Sequence, residues 1–139
     1  TLTPPVFEWH YKSDALGDPL INEDHIMAMG WATAGELAKV RAASFTVNEV
    51  LRTFFSSRGL DLIDFKLEFG RWQVPGKPDE ILLGDELSPD TMRLWEHGTR
   101  RKLDKDRFRR DLGHVEEAYH EVLQRVVGEG AGVRTGGDA

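Results

Sequence analysis

The sequence predicts an α+β domain in which antiparallel strands pack with helices. Three observations carry this expectation. Residues 33–55 show helical periodicity behind a capping signal, two alternating segments at 60–70 and 81–86 flank a Pro/Gly connection, and a second amphipathic helix fits residues 114–127.

The elements follow in chain order. "TPPVFEWHYKSD" passes from prolines into an aromatic-rich alternation, which predicts a strand over residues 6–12. "GDPLINEDH" is turn chemistry leading into a helix start, with Asn22 as cap of a short helix to about Met29. In "TAGE", Thr33 and Glu36 have the spacing of a capping box. The helix behind it places Leu37, Val40, Ser44, Val47, Leu51 and Phe54/Phe55 at helical intervals, and Gly59 ends it. Residues 60–70 form a strand, "RWQVPGKPDE" a polar connection, and "ILLGDE" a second strand that pairs with the first as a long-looped hairpin. "SPDTMRLWE" suits a turn running into a helical start capped by Ser88 or Asp90. "LDKDRFRRDLG" suits a short helix capped by Asp104. "HVEEAYHEVLQRVV" is amphipathic, with Val115, Ala118, Tyr119, Val122 and Val126 on its apolar stripe. Residues 128–139 hold five glycines in twelve and little to bury, the composition of a disordered tail.

A chain of 139 residues is one domain, or part of one, and long enough for a hydrophobic core. Cysteine is absent, which excludes disulfides and thiolate metal sites and makes a reducing cytoplasm the expected compartment. There is no bilayer-length apolar run and no signal-peptide pattern, so no membrane partner is expected. A net charge of −6 argues against a general nucleic-acid binder. "GTRRKLDKDRFRRD" concentrates seven basic residues, but Asp104, Asp106 and Asp111 interrupt them at helical pairing distances. The chain opens "TLTPPVF" without Met; trimming before a small Thr and a start inside something longer both account for that.

The chemistry concentrates in "DFKLEFG". As a strand it puts Ile63, Phe65, Leu67 and Phe69 on one face, and Asp64, Lys66 and Glu68 on the other, about 6–7 Å apart. Hairpin pairing would bring Asp85 to them, so that Asp64, Glu68 and Asp85 gather around Lys66. Carboxylates on rigid strands with a lysine among them suit Mg²⁺ and a polyphosphate. A solvated ion-pair ladder on an exposed sheet face accounts for the same pattern. Just downstream, Asp85, Glu86, Asp90 and Arg93 share a turn-rich stretch. Arg93 there suits bidentate phosphate or carboxylate binding, or equally a surface arginine at a helix start. The five histidines show no metal-ligand spacing, and neither a nucleophile elbow nor a Walker-type phosphate loop occurs.

"DFKLEFG", "GDELSPDTMRLW" and "LDKDRFRRDLG", in this order and spacing, resemble the SAICAR synthetase family in its short bacterial form. "FEWHYKSDALGDPLINEDHI" matches as well, so the resemblance runs from about Pro5 to Val127. It implies a kinase-like or ATP-grasp-like pair of lobes with nucleotide between them. It also implies an enzyme that joins L-aspartate to the carboxylate of the aminoimidazole ribonucleotide CAIR, using ATP and Mg²⁺, through an acyl phosphate. Carried over by motif, Glu68 and Asp85 hold Mg²⁺ at the ATP phosphates, and Asp64 and Lys66 face the reacting carboxylate and phosphoryl group. Asp90 and Arg93 bind CAIR, with Arg93 toward its phosphate. Lys12 and Asp14 belong to a substrate-binding motif where the family commonly has Lys-Asn-Asp; Ser13 is a departure. Lys105 and Arg107 belong to a further motif, assigned to anionic substrate.

The resemblance also implies an N-terminal lobe with a basic, glycine-containing phosphate loop, and no such motif occurs in the 139 residues. Residues 1–127 are therefore expected to be a C-terminal catalytic portion. It would be incompetent for the full reaction unless that lobe is supplied in cis or in trans, with a homo-oligomer as a further possibility. A non-catalytic or split-subunit interaction domain on the same scaffold is the alternative, and a kinase-type phosphotransferase with another acceptor is a weaker one.

Overall fold

The computed structural model describes residues 2–109 and 114–128. The residues expected to form the glycine-rich tail lie outside these, except Gly128. The described elements are β1 (Trp9–His10), β2 (Leu20–Ile21), α1 (Glu23–Ala28), α2 (Ala34–Ser56), β3 (Leu60–Phe65), β4 (Glu68–Trp72), β5 (Glu80–Gly84), β6 (Met92–Glu96), α3 (Asp106–Arg109) and α4 (Val115–Val127). The α+β expectation holds: β1 pairs with β2, β3 with β6 and β4 with β5, in three two-stranded ladders. No helix among the described residues is long and apolar enough to cross a membrane.

The chain divides into two compact units, one of residues through Thr46 plus Phe69–Leu82, the other of Val47–Glu68 plus residues from Leu83 on. In the first, the strand expected over 6–12 shrinks to Trp9–His10, opposite Ile21 and Leu20. Its aromatics pack on rings elsewhere in the unit instead of extending the ladder: Phe7 meets Phe45, and Tyr11 stacks on Trp31 at 4.1 Å between centroids. Asn22 caps α1 as expected, in a capping box completed by His25. Thr33 and Glu36 cap α2 as expected: the Glu36 N–H donates to the Thr33 hydroxyl and the Thr33 N–H to the Glu36 carboxylate. Arg71 on β4 then clamps Glu36 with two hydrogen bonds of 2.9 and 3.0 Å. Those bonds, first, and the cap, second, pull the Glu36 carboxyl down to about 2.

In the second unit, Phe55, Leu60, Met92, Leu94, Leu103, Ala118 and Val122 form the buried core, with Leu51, Leu62, Phe65 and Val126 packed against it. Leu94 and Leu103 are fully buried. Two sequence expectations change here. Residues 88–95 do not start a helix. They form a turn closed by Ser88 and Thr91 and then β6, because Met92 and Leu94 alternate into the core with period two. The strand expected over 60–70 breaks at Lys66–Leu67, so β3 pairs with β6 and only β4 continues into the hairpin.

The apolar row Ile63/Phe65/Leu67/Phe69 also fails as one face. The β3–β6 register shifts between Leu62 and Asp64, so Ile63 is a bulge residue and is 44% exposed. A bulge inverts the side-chain phase. Leu60 and Leu62 point inward before it, and Phe65 after it. Helix α4 closes the unit with Ala118 and Val122 buried, as its periodicity predicts. Arg125 and Arg101 tie it to β6 by gripping Glu96 and Glu121.

Candidate functional site

The break after β3 positions Lys66. Its ammonium lies 2.5 Å from Glu68 Oε1 at the start of β4 and 3.7 Å from Asp85 Oδ2, just past the end of β5. Hairpin pairing explains the meeting: a Cβ on Gly84 would sit 4.0 Å from the Glu68 carbonyl, which brings the next residue, Asp85, beside Glu68. Asp85 adopts a left-handed backbone at φ 64, a conformation that Asp visits more readily than most residues with a side chain. Hydrogen bonding from Glu86, and then the charge of Lys66, hold its carboxyl below the ordinary value. About a third of each carboxylate side chain is open to solvent.

Asp64 does not join them. It is the cross-strand partner of Arg93, and its carboxylate takes a 2.5 Å hydrogen bond from Arg93 Nη1. The expected gathering of Asp64, Glu68 and Asp85 around Lys66 is thus corrected to a pair, Glu68 and Asp85. Among the described residues no group of three His, Asp or Glu side chains is arranged to hold a metal by itself. Two carboxylates still suit Mg²⁺, which takes one or two protein carboxylates and completes its octahedron with phosphate oxygens and water.

Arg93 bridges two acids. Its Nε lies 3.4 Å from Asp106, whose side chain is almost wholly buried and also receives the Lys102 ammonium at 3.2 Å. Burial pushes the Asp106 carboxyl up, but hydrogen bonds from Lys102 and Arg93 outweigh it and leave it below the ordinary value. The hydrogen bond to Asp64, foremost, raises Arg93 further above an already high value. Asp104, expected as a helix cap, does more: one carboxylate oxygen takes the Asp106 N–H and the other the Leu94 N–H, both at 2.8 Å. Its burial raises its own carboxyl.

Asp90 sits in the turn before β6, where the Tyr119 hydroxyl donates to it at 2.6 Å. The Lys105 N–H donates to the Pro89 carbonyl, which sets Lys105 beside that turn. Arg107 donates to the Lys102 carbonyl and lines a recess of about 370 Å³ with Arg101, His114 and Glu117. Lys12 and Asp14 belong to the first unit, where the Lys12 ammonium lies 3.8 Å from Asp14 and 3.9 Å from Asp18. Lys102, Asp106 and Tyr119 were not among the expected site residues: the sequence placed the pairing of Asp106 with its basic neighbours among ordinary helical ion pairs, and Tyr119 in the apolar stripe of α4.

The SAICAR synthetase family model matches residues 1–126. The chain belongs to the SAICAR synthetase family. A phosphoribosylaminoimidazole-succinocarboxamide synthase of Clostridium acetobutylicum is 57% identical over 128 residues, which is 92% of this chain and 52% of that protein. A Pseudomonas aeruginosa enzyme of the same name is 57% identical over 125 residues, 90% of this chain and 51% of its own. The crystal structure of the Ehrlichia chaffeensis synthase superposes with a TM-score of 0.86 at 42% identity, covering 91% of this chain and 53% of that one. A type-2 SAICAR synthetase in complex with ADP gives a TM-score of 0.83 at 44% identity, with 92% and 53% covered. The chain thus spans about half the length of the relatives it matches.

Proposed function

We propose that this chain supplies the metal- and substrate-handling portion of a cytoplasmic ligase of purine biosynthesis. The reaction joins L-aspartate to the carboxylate of CAIR, at the expense of ATP and with Mg²⁺. The observation that carries the reading is the convergence of Glu68 and Asp85 on the single ammonium of Lys66, in a chain of this family. The ADP complex of a relative at 44% identity supports the nucleotide.

In this reading Glu68 and Asp85 hold Mg²⁺, which when bound neutralises charge on the phosphates. Lys66 holds the equatorial oxygens of the transferred phosphoryl group. Asp64 faces the reacting carboxylate, Arg93 takes the CAIR phosphate, and Asp90, its Oδ1 already engaged by Tyr119, offers Oδ2 to a substrate donor. Lys12, Asp14, Lys105 and Arg107 complete the contacts to substrate. A CAIR carboxylate oxygen attacks the γ-phosphorus and ADP leaves. The aspartate amine then attacks the acyl phosphate carbon, loses a proton, and expels phosphate. Residues 1–127 are the catalytic portion, and the glycine-rich phosphate loop comes from outside them, in cis or in trans.

Phosphate release from ATP tests this, with the chain alone and with the complementary half of the Clostridium acetobutylicum relative. The expected result is no turnover by the chain alone. With the complement, release needs CAIR and L-aspartate together. Release with CAIR omitted would overturn the ligase reading, because no acyl phosphate could then be its source.

A further inference from the structure

We infer that Arg93 exchanges carboxylate partners when an anionic substrate arrives, keeping Asp106 and releasing Asp64 in favour of the substrate's phosphate. The inference rests on the reading of Arg93 as a phosphate-binding residue and adds the device that regulates it.

The two acids on Arg93 are not equivalent. Asp106 is 6% exposed at its side chain, shares its charge with Lys102, and has its N–H fixed by Asp104. Breaking Arg93 away from it would take a cation from a buried carboxylate, which is costly. Asp64 is 50% exposed, so water replaces Arg93 there at little cost. The atoms agree with this division. Asp106 takes Nε on the side edge of the guanidinium, whereas Asp64 takes Nη1, at the end where Nη1 and Nη2 form a fork. A phosphate needs that fork for bidentate binding, and a charge-assisted pair of hydrogen bonds outcompetes one exposed contact.

Release has a consequence for the reaction. The Asp64 carboxylate, held by Arg93 in the free chain, becomes available to another partner only after the anion is seated. Before that it neutralises the arginine. The exchange therefore couples occupancy of the phosphate subsite to presentation of Asp64. Linkage makes the coupling reciprocal, so whatever draws Asp64 away tightens the anion.

The test follows the Arg93 Nε–Hε resonance of the ¹⁵N-labelled chain while inorganic phosphate, and separately ribose 5-phosphate, is titrated at constant ionic strength. The native chain is expected to shift at Arg93, and Asp64→Asn to bind both probes about three- to fivefold more tightly. Asp64 is exposed, so the variant folds, and a thermal melt verifies that. Equal or weaker binding by Asp64→Asn overturns the exchange and leaves the phosphate reading of Arg93 intact. No shift at Arg93 in either protein overturns both, as does binding that persists unchanged in Arg93→Gln.

Discussion

At the scale of single residues, the proposed site turns on Lys66, whose ammonium lies against both Glu68 and Asp85. Lys66→Gln is expected to weaken MgADP binding about tenfold, the size of one charge-assisted contact. Mg²⁺ alone should bind no more weakly, because the two carboxylates lose a competing cation. Titration calorimetry with each ligand separates the two. The residue types of this site were legible in "DFKLEFG" and "GDELSPDTMRLW", because carboxylates flanking a lysine in alternating segments have few apolar explanations. Their partners were not. Whether Asp64 faces Lys66 or Arg93 depends on cross-strand register, and the bulge at Ile63 sets that register.

At the scale of elements, the bulge makes a prediction opposite to simple alternation. Ile63→Thr should change stability by less than about 0.5 kcal/mol, because the side chain is 44% exposed. Leu94→Ala on the facing strand should cost about 2–5 kcal/mol, since that side chain is fully buried. Urea unfolding of the two variants decides between the phases. Helix α4 makes a second prediction. Hydrogen bonds from Arg101, Thr99 and Arg125 hold the Glu96 carboxyl at about 2, against an ordinary 4.5. A depressed carboxyl contributes stability above its ordinary value and loses it as pH falls. The α4 attachment should therefore weaken between pH 4.5 and 2, and Glu96→Gln should flatten that dependence. Helical circular dichroism across an acid titration measures both. The long helix and its Thr33–Glu36 cap were legible because local chemistry determines them. Strand β6 was not, because Ser88, Pro89 and Asp90 carry the same turn signal whether a helix or a strand follows.

At the scale of the whole molecule, the second unit is built so that one buried core supports both polar clusters. Leu62, Phe65, Met92 and Leu94 lie inward on β3 and β6, and Arg93 and Asp64 pair across the same strands. The family and the α+β class were readable from motifs spread over most of the chain. The division into two units was not, because its boundaries fall inside α2, β4 and β5 and not in a connecting loop. The central claim is that Glu68 and Asp85 share a divalent cation. Paramagnetic broadening of the ¹⁵N-labelled chain by Mn²⁺, with Mg²⁺ as competitor, tests it directly. The account predicts broadening strongest at the amides of Glu68 and Asp85, reversed by Mg²⁺ and lost in Glu68→Gln. Broadening spread evenly over the acidic surface, or centred on other residues, would contradict it.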